Sequence, residues 1–180
     1  EHGQKYSRVG KCSGHSSFVT HLDWSTNSEY LMSNSGDYEI LYWHVSPSGV
    51  GVKQATNYQV IRDLEWQNIG GCTLAPTVLG IWTGHGSASA SASASSSQSM
   101  DGTDINAVAV SKLRGLCAYV DDFGKVNLTS YPCAGFKVEK ITYRGHSSHV
   151  TNVHFVNNDT RLVTTGGNDM SIFQWAIVTP

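Results

Sequence analysis

The sequence predicts an all-β fold assembled from repeated small antiparallel sheets, and three observations carry that reading. One stretch occurs twice: Gly14-His15-Ser16-Ser17-Phe18-Val19-Thr20-His21-Leu22-Asp23-Trp24 and Gly145-His146-Ser147-Ser148-His149-Val150-Thr151-Asn152-Val153-His154-Phe155, identical at six of eleven positions. Each copy leads, at a matched distance, to an Asp turn and a closing Trp. Asp37 precedes Trp43 by six residues, and Asp169 precedes Trp175 by six. The two Gly-His pairs lie 131 residues apart, which is three periods of about 44, within the range of a blade repeat.

A Gly-His opening, an Asp turn and a closing Trp together mark a β-propeller blade of WD40 type. The spacing predicts four four-stranded blades in a single WD-repeat region over 1–180, at about 10–45, 50–83, 101–133 and 140–177. WD blades usually build larger rings, so the four are expected to form an open arc, a partial propeller. Its partners would then include the missing blades of a parent chain. The N-terminus, Glu1-His2-Gly3-Gln4, has no initiator Met and reads as a fragment or a processed chain.

Taken in order, residues 5–12 read as an edge strand before the first Gly-His, able to pair beside 170–176. In blade one, apolar alternation at Val19, Leu22 and Trp24 predicts a buried face, and Val150, Val153 and Phe155 repeat it in the last blade. Ser46-Pro47-Ser48-Gly49 is a turn. For blade two, Val60-Ile61-Arg62-Asp63-Leu64-Glu65-Trp66 imitates the strand ending at Trp24, and Val78-Leu79-Gly80-Ile81-Trp82 the strand ending at Trp43. Blade three takes Asp104–Val110, Leu116–Val120 and, after the turn Asp121-Asp122-Phe123-Gly124, Val126–Leu128. Gly84-His85 stands out of register with these blades, although a long loop could return it. Residues 86–100, with alternating Ser and Ala from Ser87, bury too little apolar surface to order themselves and read as a flexible loop, natural or engineered. An amyloid-like strand is the alternative for that run. Lys137, Lys140 and Arg144 read as a solvated strand and loop, or else as a contact for an acidic partner.

Polar atoms trapped under such a sheet need partners. In a WD blade the turn Asp accepts from the His imidazole, the His bonds a Ser or Thr of the second strand, and that hydroxyl meets the Trp indole N–H. The members are His15, Ser33, Asp37 and Trp43 in the first blade, and His146, Thr165, Asp169 and Trp175 in the last. These sets resemble hydrolase triads on paper, but a Ser inside a strand fits a structural lattice. Neither middle blade is expected to build one.

Composition excludes several classes. Charged residues are 14% of the chain against 18 Gly and five Trp, as suits an all-β chain rich in turns. Net charge is −2, so neither nucleic acid nor an anionic membrane is an expected partner. No stretch approaches the roughly 20 apolar residues of a membrane span, and no apolar signal region opens the chain. The cysteines, Cys12, Cys72, Cys117 and Cys133, are widely spaced and form no Cys-x-x-Cys, so they read as reduced thiols. Asn127-Leu128-Thr129 and Asn158-Asp159-Thr160 match the glycosylation pattern by chance. His149 and His154 would point to opposite faces of a strand, which argues against a shared metal. No phosphate loop, nucleophile elbow or paired-carboxylate site is present, so no enzyme activity, cofactor or metal is expected.

Several runs resemble the echinoderm microtubule-associated protein-like family at the C-terminal end of its chain. They are Gly14–Trp24, Ser33–Trp43, Asp101–Val108, Asp121–Val126, Ser130–Cys133 and Gly145–Val153. The Ser/Ala run departs from that family. The resemblance implies a pair of fused propellers that associates with tubulin and microtubules in the cytoplasm and cytoskeleton, with this chain as the final blades of the second. The family's coiled coil, basic segment and first-propeller hydrophobic motif are not in this sequence. Propellers present loops to partners. The candidate partner-binding residues are therefore those after each Gly-His (Ser16, Ser17, Phe18; Ser147, Ser148, His149) and those at the turns (Tyr38, Phe123, Met170). A generic protein-interaction hub without a cytoskeletal role is the alternative.

Overall fold

The computed structural model describes residues 8–46, 51–67, 72, 75–82, 103–135 and 138–178. Among them the chain is all-β apart from two short helical segments, and it divides into two compact units, Glu1–Asn68 and Ile69–Pro180.

The first unit contains one antiparallel sheet, in the order β1 (Val19–Trp24), β2 (Tyr30–Ser35), β3 (Ile40–Val45) and β4 (Val52–Gln54). Of residues 5–12, expected to be strand, 8–12 are not, and 5–7 lie outside the described residues. Gly10 instead sits against β4, where a Cβ would fall 2.6 Å from the Val52 side chain, and the Val9 carbonyl accepts the Gly51 N–H at 3.2 Å. The expected burial of Val19, Leu22 and Trp24 also fails. This unit has a single described sheet, and these residues are 51%, 57% and 45% exposed.

Among the described residues, the two strand-like runs of the predicted second blade form helical turns instead. Residues 58–62 form a short helix, α1 (Tyr58–Arg62), capped by the Asn57 side chain, which accepts the Gln59 N–H at 3.2 Å. Only Ile61 of α1 is buried, so the apparent alternation across 60–66 has no sheet face to occupy. Trp66 makes an isolated antiparallel bridge to Ser25, and its ring lies 5.8 Å from that of Tyr42. In the second unit, Pro76–Trp82 form a 3-10 helix. Val78 and Ile81 are buried three residues apart, the period of that helix and not of a strand. The backbone of Cys133 holds it at both ends: its N–H donates to the Thr77 carbonyl, and its carbonyl accepts from Gly80. A Cβ at Gly80 would lie 2.1 Å from that carbonyl oxygen, so only glycine fits. The 47–49 part of the predicted turn, Gly84-His85 and the 86–100 run lie outside the described residues.

The second unit packs two sheets. One runs β5 (Ile105–Ser111), β6 (Leu116–Asp121), β7 (Lys125–Ser130), β8 (Lys140–Arg144), and the other β9 (Val150–Val156), β10 (Arg161–Gly166), β11 (Ile172–Ala176). Residues 140–144, assigned above to the last blade, pair with β7, so that Lys125 faces Arg144. They supply the fourth strand of the β5–β8 sheet, the third sheet when counted by predicted blades, and the last sheet has three described strands where four were expected. The core lies between the two sheets. Ala107, Ala109, Ala118, Val120 and Val126 meet Val150, Val153 and Leu162, with Phe155 and Trp175 against them. Small residues on one sheet admit branched ones from the other. Each buried Val or Leu contributes about 1.5–3 kcal/mol.

The repeat shows even in its irregularities. The first strand of every sheet breaks register at one corresponding place, across Thr20, Asn106 and Thr151. Side chains at these places bond carbonyls: Thr20 reaches Asn34 and Thr151 reaches Thr165, each on the paired strand, whereas Asn106 reaches Val150 on the neighbouring sheet.

Candidate functional site

In the first sheet, β2 places Ser33 and β3 places Trp43 on one face, and the Gly-His loop brings His15 over them. His15 Nδ1 lies 3.0 Å from Asp37 Oδ2, its Nε2 lies 2.8 Å from Ser33 Oγ, and the Trp43 indole N–H donates to that oxygen at 2.8 Å. Nδ1 therefore donates to the carboxylate and Nε2 accepts from the hydroxyl, which is the tautomer this network requires. The Ser16 amide N–H also donates to Asp37, at 2.9 Å.

The last sheet repeats the lattice with one change. His146 Nδ1 lies 2.9 Å from Asp169 Oδ2, and the Ser147 N–H donates to the same oxygen at 3.2 Å. The hydroxyl at the junction belongs to Thr164 rather than Thr165: His146 Nε2 lies 2.8 Å from Thr164 Oγ1, and the Trp175 indole donates to that oxygen at 3.0 Å. Thr165 points to the opposite face, where its hydroxyl meets Thr151 at 2.9 Å. Counting back from the Asp turn misplaces it, because this turn holds one more residue, in the Gly166-Gly167 pair. Counting forward from the His succeeds, since His15–Ser33 and His146–Thr164 are both 18 residues apart.

Both carboxylates lie below the usual range. Burial alone would raise Asp37, but hydrogen bonds from the Glu39 and Ser16 amides, His15 and Ser35 outweigh it. Burial opposes the shift at Asp169 too, and bonds from His146, from the Ser171 side chain and amide, and from the Ser147 amide prevail. Ser33 and Thr164 are 2% and 0% exposed, so no substrate can reach either hydroxyl without opening the sheet.

The third sheet has no Gly-His, yet it is not bare of polar structure. Asp121, read above only as a turn residue, is buried. It accepts from the Phe123 and Lys125 amides, both at 3.0 Å, and from the Asn127 side chain at 3.2 Å. Thr142 on β8 donates to Asn127 at 2.7 Å. Asn127 is wholly buried, which removes it as a glycosylation acceptor. The sequence signal is an Asp followed six residues later by Asn, on adjacent strands.

The partner-binding candidates are loop residues. Ser16, Ser17, Phe18 and Tyr38 are exposed in the first unit. In the second unit Phe123, Ser147 and Met170 are exposed, while Ser148 and His149 are half-buried and bonded to each other at 3.1 Å. Lys125 Nζ sits 5.2 Å from the Phe123 ring centre. The loops 121–124, 145–149 and 166–171 adjoin. A Cβ at Gly124 would lie 2.7 Å from the His146 carbonyl oxygen, and the Gly167 N–H donates to the His149 carbonyl at 2.8 Å.

Among the described residues no group of three or more His, Cys, Asp or Glu could hold a metal ion, and no helix is long and apolar enough to cross a membrane. All four cysteines are free. A hydrogen bond with Cys133 and burial both push the Cys117 thiol up.

Residues 1–177 match the model of the echinoderm microtubule-associated protein second beta-propeller. The chain is 52% identical over 178 residues to mouse echinoderm microtubule-associated protein-like 1, covering 99% of this chain and 20% of that protein. It is 49% identical over 178 residues to human echinoderm microtubule-associated protein-like 4, covering 99% of this chain and 16% of that one. With the human like 2 protein it is 49% identical over 176 residues, covering 98% and 24%. The chain thus spans between a sixth and a quarter of the length of these curated relatives. The crystal structure of the computationally designed Ika4 protein superposes with a TM-score of 0.51 at 17% identity, covering 97% of this chain and 100% of that one, a likeness of fold alone. A doubled Gly-His lattice, sheets of propeller type and identity near one half along almost the whole sequence lead to one conclusion: the chain belongs to the echinoderm microtubule-associated protein-like family, within its second β-propeller.

Proposed function

We propose that this chain is a non-enzymatic scaffold in the cytoplasm that helps its parent protein bind tubulin and microtubules and organise the cytoskeleton. The observation that carries the reading is the similarity of nearly the whole chain to proteins whose names state microtubule association. The buried lattices support the absence of catalysis, because every hydroxyl, imidazole and carboxylate in them is taken up inside a sheet. Phe18, Tyr38, Phe123 and Met170, with Ser16, Ser17, Ser147, Ser148 and His149 around them, are the proposed contacts. Exposed aromatic and Met side chains on loops are efficient anchors.

The test is co-sedimentation of the 180-residue chain with stabilised microtubules, beside binding to the soluble αβ-tubulin dimer. Pelleting, or saturable binding to the dimer, is the expected result. If neither occurs, and the intact parent also fails to pellet, the cytoskeletal reading is overturned and a general interaction hub takes its place.

A further inference from the structure

Cys117 and Cys133 meet inside the second unit although a hairpin separates them in the chain. β7 returns antiparallel beside β6, with Leu116 opposite Ser130 and Cys117 opposite Thr129. Past the end of β7 the Tyr131 N–H donates to the Gly115 carbonyl at 2.8 Å, which holds the chain against the start of β6. Cys133 follows two residues later, and its thiol is hydrogen-bonded to that of Cys117. Both thiols are free, and the two residues are 2% and 0% exposed.

The pair is not symmetric. The bond from Cys117 holds the Cys133 thiol below its usual range, while the same bond, together with burial, pushes Cys117 up. The Cys117 S–H is therefore the donor, and Cys133 carries the more nucleophilic sulfur. The two also differ in cover. Cys117 lies on β6, an interior strand between β5 and β7. Cys133 lies in a surface connection whose neighbouring residues Pro132, Ala134 and Gly135 are exposed. A Cβ at Gly135 would meet nothing within 4 Å. The Cys133 backbone is held by its bonds to Thr77 and Gly80 of the 3-10 helix. Opening those two bonds uncovers the thiol without unpairing a strand.

We infer that Cys117 and Cys133 form a reversible oxidation site, at which hydrogen peroxide converts the two thiols to a disulfide. The Cys133 thiolate attacks one peroxide oxygen and breaks the O–O bond. The products are a sulfenic acid on Cys133 and a hydroxide, which takes up a proton to become water. The Cys117 sulfur then attacks the Cys133 sulfur, and the S–S bond forms as the hydroxyl leaves with the Cys117 proton as a second water. The two sulfurs give up two electrons, which peroxide accepts, and a dithiol reductant restores both thiols. In a reducing compartment such a bond is transient and senses oxidant. It ties the connection that grips the 3-10 helix to an interior strand of the sheet.

The experiment uses the 180-residue chain with Cys12→Ser, which removes the exposed thiol, and hydrogen peroxide as the probe. The folded chain is treated, alkylated and cleaved with trypsin. Cleavage after Arg114, Lys125 and Lys137 places Cys117 and Cys133 in separate peptides. The expected product is the two peptides joined, lighter by two hydrogens and parted again by dithiothreitol. The thermal midpoint of the oxidised chain should rise by about 6 °C. In Cys117→Ser, Cys133 should stop at the sulfenic acid and be captured by dimedone. In Cys133→Ser, Cys117 should react about tenfold more slowly than Cys133 does. The inference is overturned if peroxide leaves both thiols open to alkylation, joins either one to Cys72, or carries Cys133 to the sulfinic acid without a link. A lowered midpoint also overturns it, because the bond would then form only by distorting the fold. The peptide map of the Cys12→Ser chain decides the matter even where a serine variant at 117 or 133 fails to fold, and no outcome bears on the scaffold reading.

Discussion

The two copies of the Gly-His stretch are nearly the same sequence and lead different lives. In both, the imidazole links a turn carboxylate to a strand hydroxyl and a Trp indole. Yet Val150 and Val153 are buried under the third sheet, whereas their counterparts Val19 and Leu22 are more than half exposed in the first unit. The lattice is local, closed within one sheet by residues at most 25 apart. The packing of the apolar face is not local, and depends on whether a second sheet lies over it. Identical patterning thus secures the polar network without securing the core.

His146→Ala leaves the Asp169 carboxylate, the Thr164 hydroxyl and the Trp175 N–H without their common partner in a buried site, and should cost about 3 kcal/mol in a urea melt. The same change at His15 should cost about 2 kcal/mol, because that loop is more open to water. Equal costs would mean that burial does not separate the two lattices.

Val153→Ala removes two methyl groups from the core and should cost about 2 kcal/mol. Leu22→Ala deletes more atoms at the corresponding place, yet should cost less than about 0.5 kcal/mol. A Leu22 penalty equal to that of Val153 in chemical denaturation would show that the face in the first unit is covered.

Thr164→Val keeps the shape and removes the hydroxyl at the junction, with an expected loss of about 1.5 kcal/mol. Thr165→Val should stay within about 0.5 kcal/mol of wild type. The reverse order in a thermal melt would restore Thr165 to the lattice.

Acid gives the smallest and most gradual effect. Asp37 and Asp169 titrate lower in the folded chain than in the unfolded one. As pH falls, the unfolded chain takes up protons first, so the stability from both carboxylates is full above about pH 4 and declines toward their lower folded values. Urea midpoints measured from neutral to acid should therefore fall less steeply for Asp169→Asn than for wild type. Parallel profiles would remove Asp169 from the acid response.

The middle of the chain shows where sequence reading stopped. Val60–Trp66 and Val78–Trp82 match strand patterns because short apolar runs suit either period. Asn57 had a free cap to offer, and Val78 and Ile81 had a helical face to fill, so both segments turned. The lattice of the third sheet is not legible in the sequence for a different reason. Asp121 and Asn127 replace a His-centred network with one reached through a hairpin, and no familiar spacing announces it. Tyr38 and Met170 were legible as loop residues, but their left-handed backbone was not, since only the closed turn imposes it.

The repeat, the all-β class and the two His–Asp–Trp lattices are written in the residues alone, because they depend on periodicity and on groups that meet within one sheet. The tertiary structure decided which apolar faces became core, which runs curled into helical turns, and which threonine met the imidazole. Those outcomes turn on what lies across a face and on one extra residue in a turn, and strand alternation converts a single step of register into the opposite side of the sheet.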